Sequence, residues 1–563
     1  MKASLFLVLP VVYASWLNNL NYLSPSKRHP QFSIEYRHLS KRDLVSFKGS
    51  VEFKHGVASG DPLPDAVILW TKVTPATETT ETICVEWSIF PEHNPSRIAD
   101  SGHVLTSFEV DYTVKVEARN LCSLTTYYYK FNVCNTNQTS PIGRTKTVPR
   151  TGDHVPQNLK FAVYSCSNYP AGFFNAFGNP ARKDSVEYVI HLGDYIYEYK
   201  NGDFGDGTNI SRIPEPNREC ATLSDYRTRL AQHHTDPDLQ LSHQQFPWFI
   251  IWDDHDIADN SWRAGSANHP ENATAYAKYG VSYASRKANA VRAFYEYLPV
   301  RQVSLTDTLR IWRTLQIGDL VDIFFLDTRH YAREITDTYD NTEFIAAIAD
   351  DQSRTLMGQR QEEWFYDGLM MSNATWKVVA QQIVFAEINI TEVGYQNYTF
   401  DFDGWSGYRS NRDRVLKTLY DAKINNTIIL SGDSHANWVS ELTWSNNSDY
   451  DSSTGEGAIG VEFAGTAVSS PPIVPGASDL LLNFATQKII NTNSNEHLKW
   501  AELVQRGYFE LEIGYDSSVA TYFGLNVTEQ TSSEVQTAQF SVLSGENKLQ
   551  RPFGGVKAGF LRT

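Results

Sequence analysis

The feature of this sequence that most constrains its fold is a set of short apolar runs, each ending in a side chain able to bind a metal. The runs FAVYSC, VIHLGD, FIIWDD and IILSGDSH end at Cys166, Asp194, Asp253 with Asp254, and Asp433 with His435. Stretches with helical character, such as ANAVRAFYEYLP and GQRQEEWFYDGLM, lie between apolar runs. Alternation of buried strands with helices predicts an α/β fold. Since ligands collect at the carboxyl ends of the strands in such sheets, we expect these side chains to converge.

The first part of the chain has a different pattern. From residue 50 to 148, short strands with alternating apolar residues, such as ICVEWSIF and TYYYKFNV, are bounded by Gly, Pro and Asp. This pattern predicts a small antiparallel β-sandwich of the immunoglobulin or fibronectin type. A polar, proline-containing link, VPRTGDHVPQN, leads to the α/β part, which we assign to residues 158–545. A chain of 563 residues is too long for one ordinary core, which agrees with this division.

The N-terminus has the features of a secretory signal peptide. A lysine precedes a short apolar run, and Val12 and Ala14 fit the cleavage positions, which predicts a signal peptide at residues 1–14 and an extension at 15–49. The alternative is a buried N-terminal strand. No later apolar stretch is long enough to span a membrane, so we expect a secreted, soluble protein. Nine Asn-x-Ser/Thr sequons support export and glycosylation: Asn137, Asn209, Asn272, Asn373, Asn389, Asn397, Asn425, Asn446 and Asn526.

The charge of the chain limits its partners. The formal net charge is −16 and the sequence pI is about 5.4. An acidic surface repels phosphate backbones, so we expect no stable complex with nucleic acid. A small anionic substrate remains compatible with this charge, provided that metal ions reverse the field locally.

The five cysteines are an odd number, whereas cysteines pair in an oxidising compartment. Three lie in the first quarter of the chain, where a disulfide fits. The sequence does not tell which of Cys84, Cys122, Cys134 and Cys220 are paired. Cys166, at the end of an apolar run, is the natural unpaired cysteine if its thiolate binds a metal; the alternative is a disulfide with Cys220.

The residue types at the ends of the runs indicate which metals they suit. Asp, Tyr phenolate and Cys thiolate suit a highly charged ion such as ferric iron, whereas carboxylate and amide oxygens suit calcium. Tyr197 lies three residues after Asp194 and reaches the same ion if the loop turns helically. Asp433 and His435 are two residues apart, so in an extended segment both can face one cavity.

The histidines of the sequence differ in their context. We expect a functional role for His255, which directly follows the acidic end of an apolar run, and for His435. For His233, His234 and His243, in a polar helical stretch, we expect imidazoles that simply form hydrogen bonds.

Eight segments together resemble the successive motifs of PhoD-type alkaline phosphatases, in the metallophosphoesterase superfamily. They are FAVYSCSNYPAGFFNAFGN, HLGDYIYEY, DYRTRLAQHHTDPDLQ, IWDDHDIADNSW, FFLDTRHY, LMGQRQEEWF, DGWSGYRSNRDRVL and LSGDSHANW. The opening VASGDPLPDAVILWTKV is similar to the N-terminal sandwich of that family. The likeness covers roughly residues 50 to 470 in family order. In the wider superfamily pattern, GDYIY matches the first element, while DDH replaces the GN-His element and GDSH replaces the final G-His-x-His.

The resemblance implies a metallophosphoesterase αββα sandwich with a binuclear site. Carried over residue by residue, it implies ferric iron (Fe3+) held by Cys166, Asp194, Tyr197 and His435. A second site, expected to hold calcium (Ca2+), would share Asp194 and be completed by Asp254 and Asp433. One remaining ligand element falls at the end of VVAQQIV, where Gln381 and Gln382 are both open.

Two further residues receive catalytic roles from the resemblance. His255, which matches the histidine of the GN-His element, would donate to the phosphate or the leaving group. Arg329, in LDTRHY, would contact substrate, and its alternative is a structural ion pair.

The predicted function is that of a secreted phosphoesterase acting on small phosphate monoesters, diesters or both. A ferric ion lowers the pKa of a bound water enough to supply hydroxide, and the second cation polarises a phosphate oxygen, so no protein nucleophile is needed. The alternative is a non-catalytic secreted glycoprotein that uses the same fold for binding. A serine hydrolase finds little support, because no G-x-S-x-G elbow stands between a strand and a helix.

Overall fold

The computed structural model describes residues 20–21 and 47–562, except residues 271, 305, 392–398 and 445–448. The predicted signal peptide at 1–14 and most of the extension at 15–49 lie outside the described residues. Within the described part of the chain, no helix combines the length and apolarity needed to cross a membrane.

The strands, in chain order, are β1 Leu20–Asn21, β2 Val51–Glu52, β3 Val57–Gly60, β4 Ala66–Lys72, β5 Thr74–Pro75, β6 Ile83–Pro91, β7 Asp100–Thr106, β8 Thr113–Arg119, β9 Thr126–Val133, β10 Gly143–Lys146, β11 Leu159–Tyr164, β12 Tyr188–His191, β13 Pro247–Ile250, β14 Arg313–Ile317, β15 Val321–Phe325, β16 Trp376–Ala380, β17 Thr427–Ser431, β18 Asn437–Glu441, β19 Val461–Ala464, β20 Leu498–Glu502, β21 Arg506–Ile513, β22 Ser517–Leu525, β23 Val535–Leu543 and β24 Phe560–Leu561.

The α-helices are α1 Asn175–Lys183, α2 Leu223–His233, α3 Pro237–Gln245, α4 Ala273–Tyr279, α5 Tyr283–Tyr297, α6 Thr342–Ile348, α7 Gln359–Met371, α8 Arg409–Asp421 and α9 Asp479–Asn491.

Two large sheets form the main body of the molecule. One has the order β1-β8-β4-β3-β13-β12-β11-β21-β22-β23, and the other has the order β14-β15-β16-β17-β19-β18-β20-β24. Strands β11, β12 and β13 are parallel to one another, as are β15, β16, β17 and β19. One core holds buried side chains of both sheets, such as Val189 and Trp248 of the first and Val378 and Ile428 of the second. The predicted α/β class is confirmed.

The apolar runs of the sequence became these parallel strands because both of their faces are buried. Strands β12, β13 and β17 carry no exposed residue, and such strands appear in a sequence as continuous apolar runs. Helices cover the outside of the second sheet: Phe365 of α7 and Leu416 of α8 pack in one cluster with Phe324 and Ile429. The predicted site residues directly follow the carboxyl ends of β11, β12, β13 and β17.

The N-terminal part is a sandwich that shares a sheet with the rest. Strands β10, β9, β6 and β7 form a four-stranded sheet, and its apolar face packs on β4 and β8. Strand β3 pairs in parallel with β13, so the sandwich continues into the large sheet. The proposed division between 50–148 and 158–545 stays a prediction, and the strand pairing crosses it.

The cysteine pairing of this part follows from its register. Cys84 on β6 and Cys134 after β9 form a disulfide, and their strands pair through Val85 and Val133. Cys122 is exposed and free.

Candidate metal centre

The side chains predicted at the strand ends converge in the structure. Cys166 follows β11, Asp194 follows β12, Asp254 follows β13, and Asp433 with His435 follows β17. Cys166, Asp194, Asp254 and His435 are buried, and Asp433 is half-buried. Cys166 has a free thiol, as has the buried Cys220, so the disulfide alternative for this pair is not adopted.

One group within the centre combines sulfur, oxygen and nitrogen donors. The ligand atoms of Cys166, Asp194 and His435 lie within 4.8 Å of one another. The Tyr197 hydroxyl donates to Asp194 Oδ2 at 2.8 Å and lies 2.9 Å from His435 Nε2. His435 Nδ1 lies 2.8 Å from the Pro471 carbonyl, which as acceptor leaves Nε2 free to bind a metal. The four side chains therefore offer sulfur, oxygen and nitrogen donors that could hold one metal ion.

Two further groups consist mainly of carboxylates, and one of them shares a member with the first. One joins Asp194, Asp254 and His255, and the other joins Asp253, Asp254 and Asp433. Asp194 therefore belongs to two groups, and Asp254 links the second to the third. This arrangement suits two neighbouring cations that share a carboxylate. Asp253 was not among the predicted ligands, although it ends the same apolar run as Asp254.

The backbone at four of these positions is unusual. Cys166, Asp194, Asp433 and His435 have φ values of 62°, 53°, 63° and 55°. The left-handed region costs a non-glycine residue roughly 1–2 kcal/mol, and such strain collects at functional sites. The prediction that Asp433 and His435 lie in an extended segment is therefore wrong. Strand β17 ends at Ser431, and the two side chains enter different groups by a left-handed turn.

The approach of two loops depends on a glycine. Gly193 has φ +111°, and a Cβ there would lie 2.4 Å from Asp253 Cβ. The loops that carry Asp194 and Asp254 touch at this point, so only glycine fits the space and the backbone.

The centre holds more negative than positive charge. Arg329 is fully buried and forms ion pairs with Asp253, Asp254, Asp403 and Asp433. Even so, Asp253 Oδ2 and Asp254 Oδ1 have no hydrogen-bond partner. A buried carboxylate without compensation is costly, so the site fits added cations. Arg329 thus has the contacts of the structural ion pair, and its contact with substrate stays a prediction.

Burial sets the protonation of these groups. It raises the pKa of Asp194, Asp253 and Asp433 well above the usual range of a carboxyl. It also raises the pKa of the Cys166 thiol and the Tyr197 phenol. A bound cation would favour the deprotonated form of each group, so metal binding would oppose these shifts.

His255 is held by a carboxylate that sequence reasoning missed. Its Nδ1 lies 2.9 Å from Glu198 Oε2, and Glu198 Oε1 accepts a hydrogen bond from the Asp259 backbone. Burial lowers the pKa of His255, but the carboxylates of Asp254, Glu198 and Asp194 outweigh it and raise the pKa well above its usual range. The imidazole is 12% exposed, so it can donate a proton to a bound molecule. A charged residue inside the aromatic run YIYEY was the signal available in the sequence.

The other histidines and the two glutamines satisfy internal hydrogen bonds. His233 Nε2 lies 3.2 Å from the Ser167 carbonyl, and His243 Nε2 lies 2.9 Å from the Tyr195 hydroxyl. None of the three helical histidines belongs to a possible metal group among the described residues. Gln381 bonds Ser431 and Trp405, while Gln382 bonds Thr328, Trp252 and Leu326.

Comparisons with known proteins find relatives of both parts of the chain. A family model described as PhoD-like phosphatase matches residues 161–522, and one described as PhoD-like phosphatase, N-terminal domain, matches residues 39–149. Alkaline phosphatase D of Bacillus subtilis (strain 168) is 35% identical over 429 residues, which are 75% of this chain and 70% of that protein. A solved structure described as Structure of PhoD is similar with a TM-score of 0.76 and 30% identity, covering 91% of this chain and 95% of the other.

Proposed function

Because the chain belongs to the PhoD-like phosphatase family and is a phosphoric ester hydrolase, we propose that the buried cluster at the strand ends is its active centre. The observation that carries this proposal is the meeting of a thiol, a carboxylate, a phenol and an imidazole from distant segments. We assign Cys166, Asp194, Tyr197 and His435 to ferric iron, and Asp194, Asp254 and Asp433 to calcium.

The residues of the chain have distinct tasks in this proposal. When bound, the two cations would activate a water and neutralise charge on the phosphate. His255, oriented through Nδ1 by Glu198, donates a proton from Nε2 to the leaving oxygen. Arg329 holds the carboxylates of Asp253 and Asp433 in place through its ion pairs, and contacts substrate only if the bound state frees one of its nitrogens. Neither a phosphorylated side chain nor a protein nucleophile takes part. Monoesters and diesters can use the same centre.

We also propose that the protein is secreted and glycosylated. Asn397 and Asn446 lie outside the described residues, and the predicted leader at 1–14 does too. Of the other seven sequon asparagines, six are exposed and Asn389 is half-buried, so each of the six offers an accessible acceptor. The disulfide between Cys84 and Cys134 suits an oxidising compartment.

The test is a pair of cysteine variants. Cys166→Ser removes the proposed thiolate ligand, and Cys220→Ser changes an equally buried free thiol outside the metal groups. Each purified protein is analysed for iron and calcium, for the visible absorption expected from tyrosinate bound to iron, and for hydrolysis of a monoester and a diester.

We expect Cys166→Ser to lose iron, lose or shift the visible band, and lose at least about 100-fold in turnover of both esters. Cys220→Ser should keep the metals and most of its activity. A Cys166→Ser protein with unchanged iron, colour and turnover would contradict the ligand assignment. A metal-free wild-type protein that binds a carbohydrate or polypeptide would favour the non-catalytic alternative.

A further inference from the structure

An aromatic side chain from the loop after the GDYIYEY segment reaches the proposed active centre. Phe204 lies on a tight loop in which the Gly202 backbone N–H donates to the Gly205 carbonyl. The Phe204 carbonyl accepts a hydrogen bond from Asn168 Nδ2 at 2.7 Å, which ties the loop to the segment after Cys166. These contacts hold the backbone of the loop in place, and the Phe204 side chain is half-buried.

The Phe204 ring contacts three rings of the centre. Its centroid is 6.1 Å from that of His255, with the planes only 16° apart, and 5.8 Å from those of Tyr197 and His435. The Tyr199 ring lies beside both Phe204 and His255. Its centroid is 5.3 Å from that of His255 and 5.9 Å from that of Phe204, with the planes tilted by 58° and 53°. We call Phe204 and Tyr199 the aromatic corner. Both of its side chains are half-buried, so part of each ring faces solvent.

The chemistry of the aromatic corner differs from that of the acidic centre beside it. An aromatic face offers no strong donor or positive charge to a phosphate, so it can only contact the part of a substrate beyond phosphorus. His255 lies against both rings, and a leaving oxygen within hydrogen-bond distance of His255 puts the attached carbon within reach of the corner. The group that meets the corner is therefore the leaving group.

We propose that the aromatic corner selects phosphate esters whose leaving group carries a flat unsaturated ring, such as an aryl alcohol or a nucleoside. This inference rests on the proposed role of His255 at the leaving oxygen. A flat ring packs against Phe204 and Tyr199 with the geometry that aromatic pairs prefer. A glycerol or sugar leaving group would instead lose water from its hydroxyls against an apolar surface.

The test compares variants of Phe204 on two classes of ester. Phe204→Ala removes the ring, Phe204→Tyr keeps it, and Phe108→Ala removes a 51% exposed ring on the N-terminal sandwich as a control. Each protein is assayed with phenyl phosphate and glycerol phosphate, and with bis-para-nitrophenyl phosphate and glycerophosphoglycerol. Each substrate serves as its own reference, so differences in intrinsic reactivity cancel. Affinity for phenylphosphonate and methylphosphonate, measured by titration calorimetry, does not depend on turnover.

Phe204→Ala should lower kcat/KM for the aryl esters about 10-fold, mainly through KM, and change the glyceryl esters less than about 2-fold. Phe204→Tyr and Phe108→Ala should behave as wild type. The wild type should bind phenylphosphonate more tightly than methylphosphonate, and Phe204→Ala should remove that preference.

Two results would overturn the inference. An equal loss on aryl and glyceryl esters would mean that Phe204 only positions His255, and equal affinity of the wild type for the two phosphonates would mean that the corner binds no ring. If the wild type hydrolyses neither ester class, the proposed function is refuted instead. The affinities for the two phosphonates then test whether the aromatic corner binds a ring.

Discussion

Replacing Gly193 by alanine tests whether the contact between the loops after β12 and β13 sets the geometry of the centre. The new Cβ would lie 2.4 Å from Asp253 Cβ and 2.5 Å from the Asp253 backbone nitrogen, whereas ordinary contacts begin at 3.4 Å. One of the two loops must therefore move by about 1 Å. The loops carry Asp194 and Asp254, so the distances between proposed ligands change with them.

The magnitude of the effect has two parts. Alanine at φ +111° costs roughly 1–2 kcal/mol for the backbone alone, and overpacking against Asp253 adds roughly 1–3 kcal/mol. A displacement of about 1 Å at reacting groups lowers activity by about 100-fold. We therefore expect Gly193→Ala to lose roughly 2–5 kcal/mol of unfolding free energy and about 100-fold in kcat/KM.

The matched control is Gly545→Ala. Gly545 has φ +91°, and its added Cβ would meet nothing within 4 Å, so only the backbone cost remains. Urea unfolding, metal content and hydrolysis of para-nitrophenyl phosphate are measured for both variants and the wild type. Gly545→Ala should lose roughly 1–2 kcal/mol and keep its metals and activity.

Wild-type metal content and turnover in Gly193→Ala, or agreement with Gly545→Ala in every measurement, would contradict this prediction. Either outcome would mean that the two loops can separate without disturbing the centre.

Three other changes have defined outcomes. Glu198→Gln removes the carboxylate at His255 Nδ1 and should lower kcat at least about 10-fold with metal content unchanged; an unaffected kcat would show that His255 needs no such support. Serine at both Cys84 and Cys134 opens a loop with a sequence separation of 50 and should lower the free energy of unfolding in urea by about 4 kcal/mol. If a reductant leaves the stability of the wild type unchanged, the pairing is contradicted. Burial lowers the pKa of His234 from 6.5 to about 3, so the unfolded chain takes up a proton first and stability present above pH 6.5 is lost as the pH falls below it. His234→Phe should therefore flatten the fall in stability between pH 6.5 and 4 by up to about 1.4 kcal/mol per pH unit, and an unchanged slope would exclude His234 as a source.

The parallel strands and the site residues after them could be predicted because their signal is local. A strand buried on both faces needs a continuous apolar run, and a polar residue directly after it is placed at the sheet edge whatever the distant partners are. Asp194 and Cys166 carry this signal, and the structure brings their side chains together.

Other features could not be predicted because they depend on distant segments. The pairing of β3 with β13 joins residues almost two hundred positions apart and leaves no trace in either strand. The Cys84–Cys134 pairing depends on the register of β6 against β9. Glu198 and Asp403 became site neighbours only through the positions of His255 and Arg329. Strand alternation predicted that Asp433 and His435 face one cavity, whereas left-handed backbone at both residues places them in different groups.

The hydrogen bonding of β3 to β13 makes the N-terminal sandwich and the α/β part interdependent. Deleting everything before residue 150 would strip β13 of a neighbour and leave its backbone as a bare edge, the kind of surface that recruits other chains. Trp70 Nε1 donates to the Glu296 carbonyl and Lys115 to the Tyr295 carbonyl, so α5 would lose these two hydrogen bonds as well. The shortened enzyme should therefore aggregate, and the intact one should melt in a single cooperative step. If the N-terminal sandwich were exchanged for that of a relative, β13 and α5 would therefore have to be exchanged together with it.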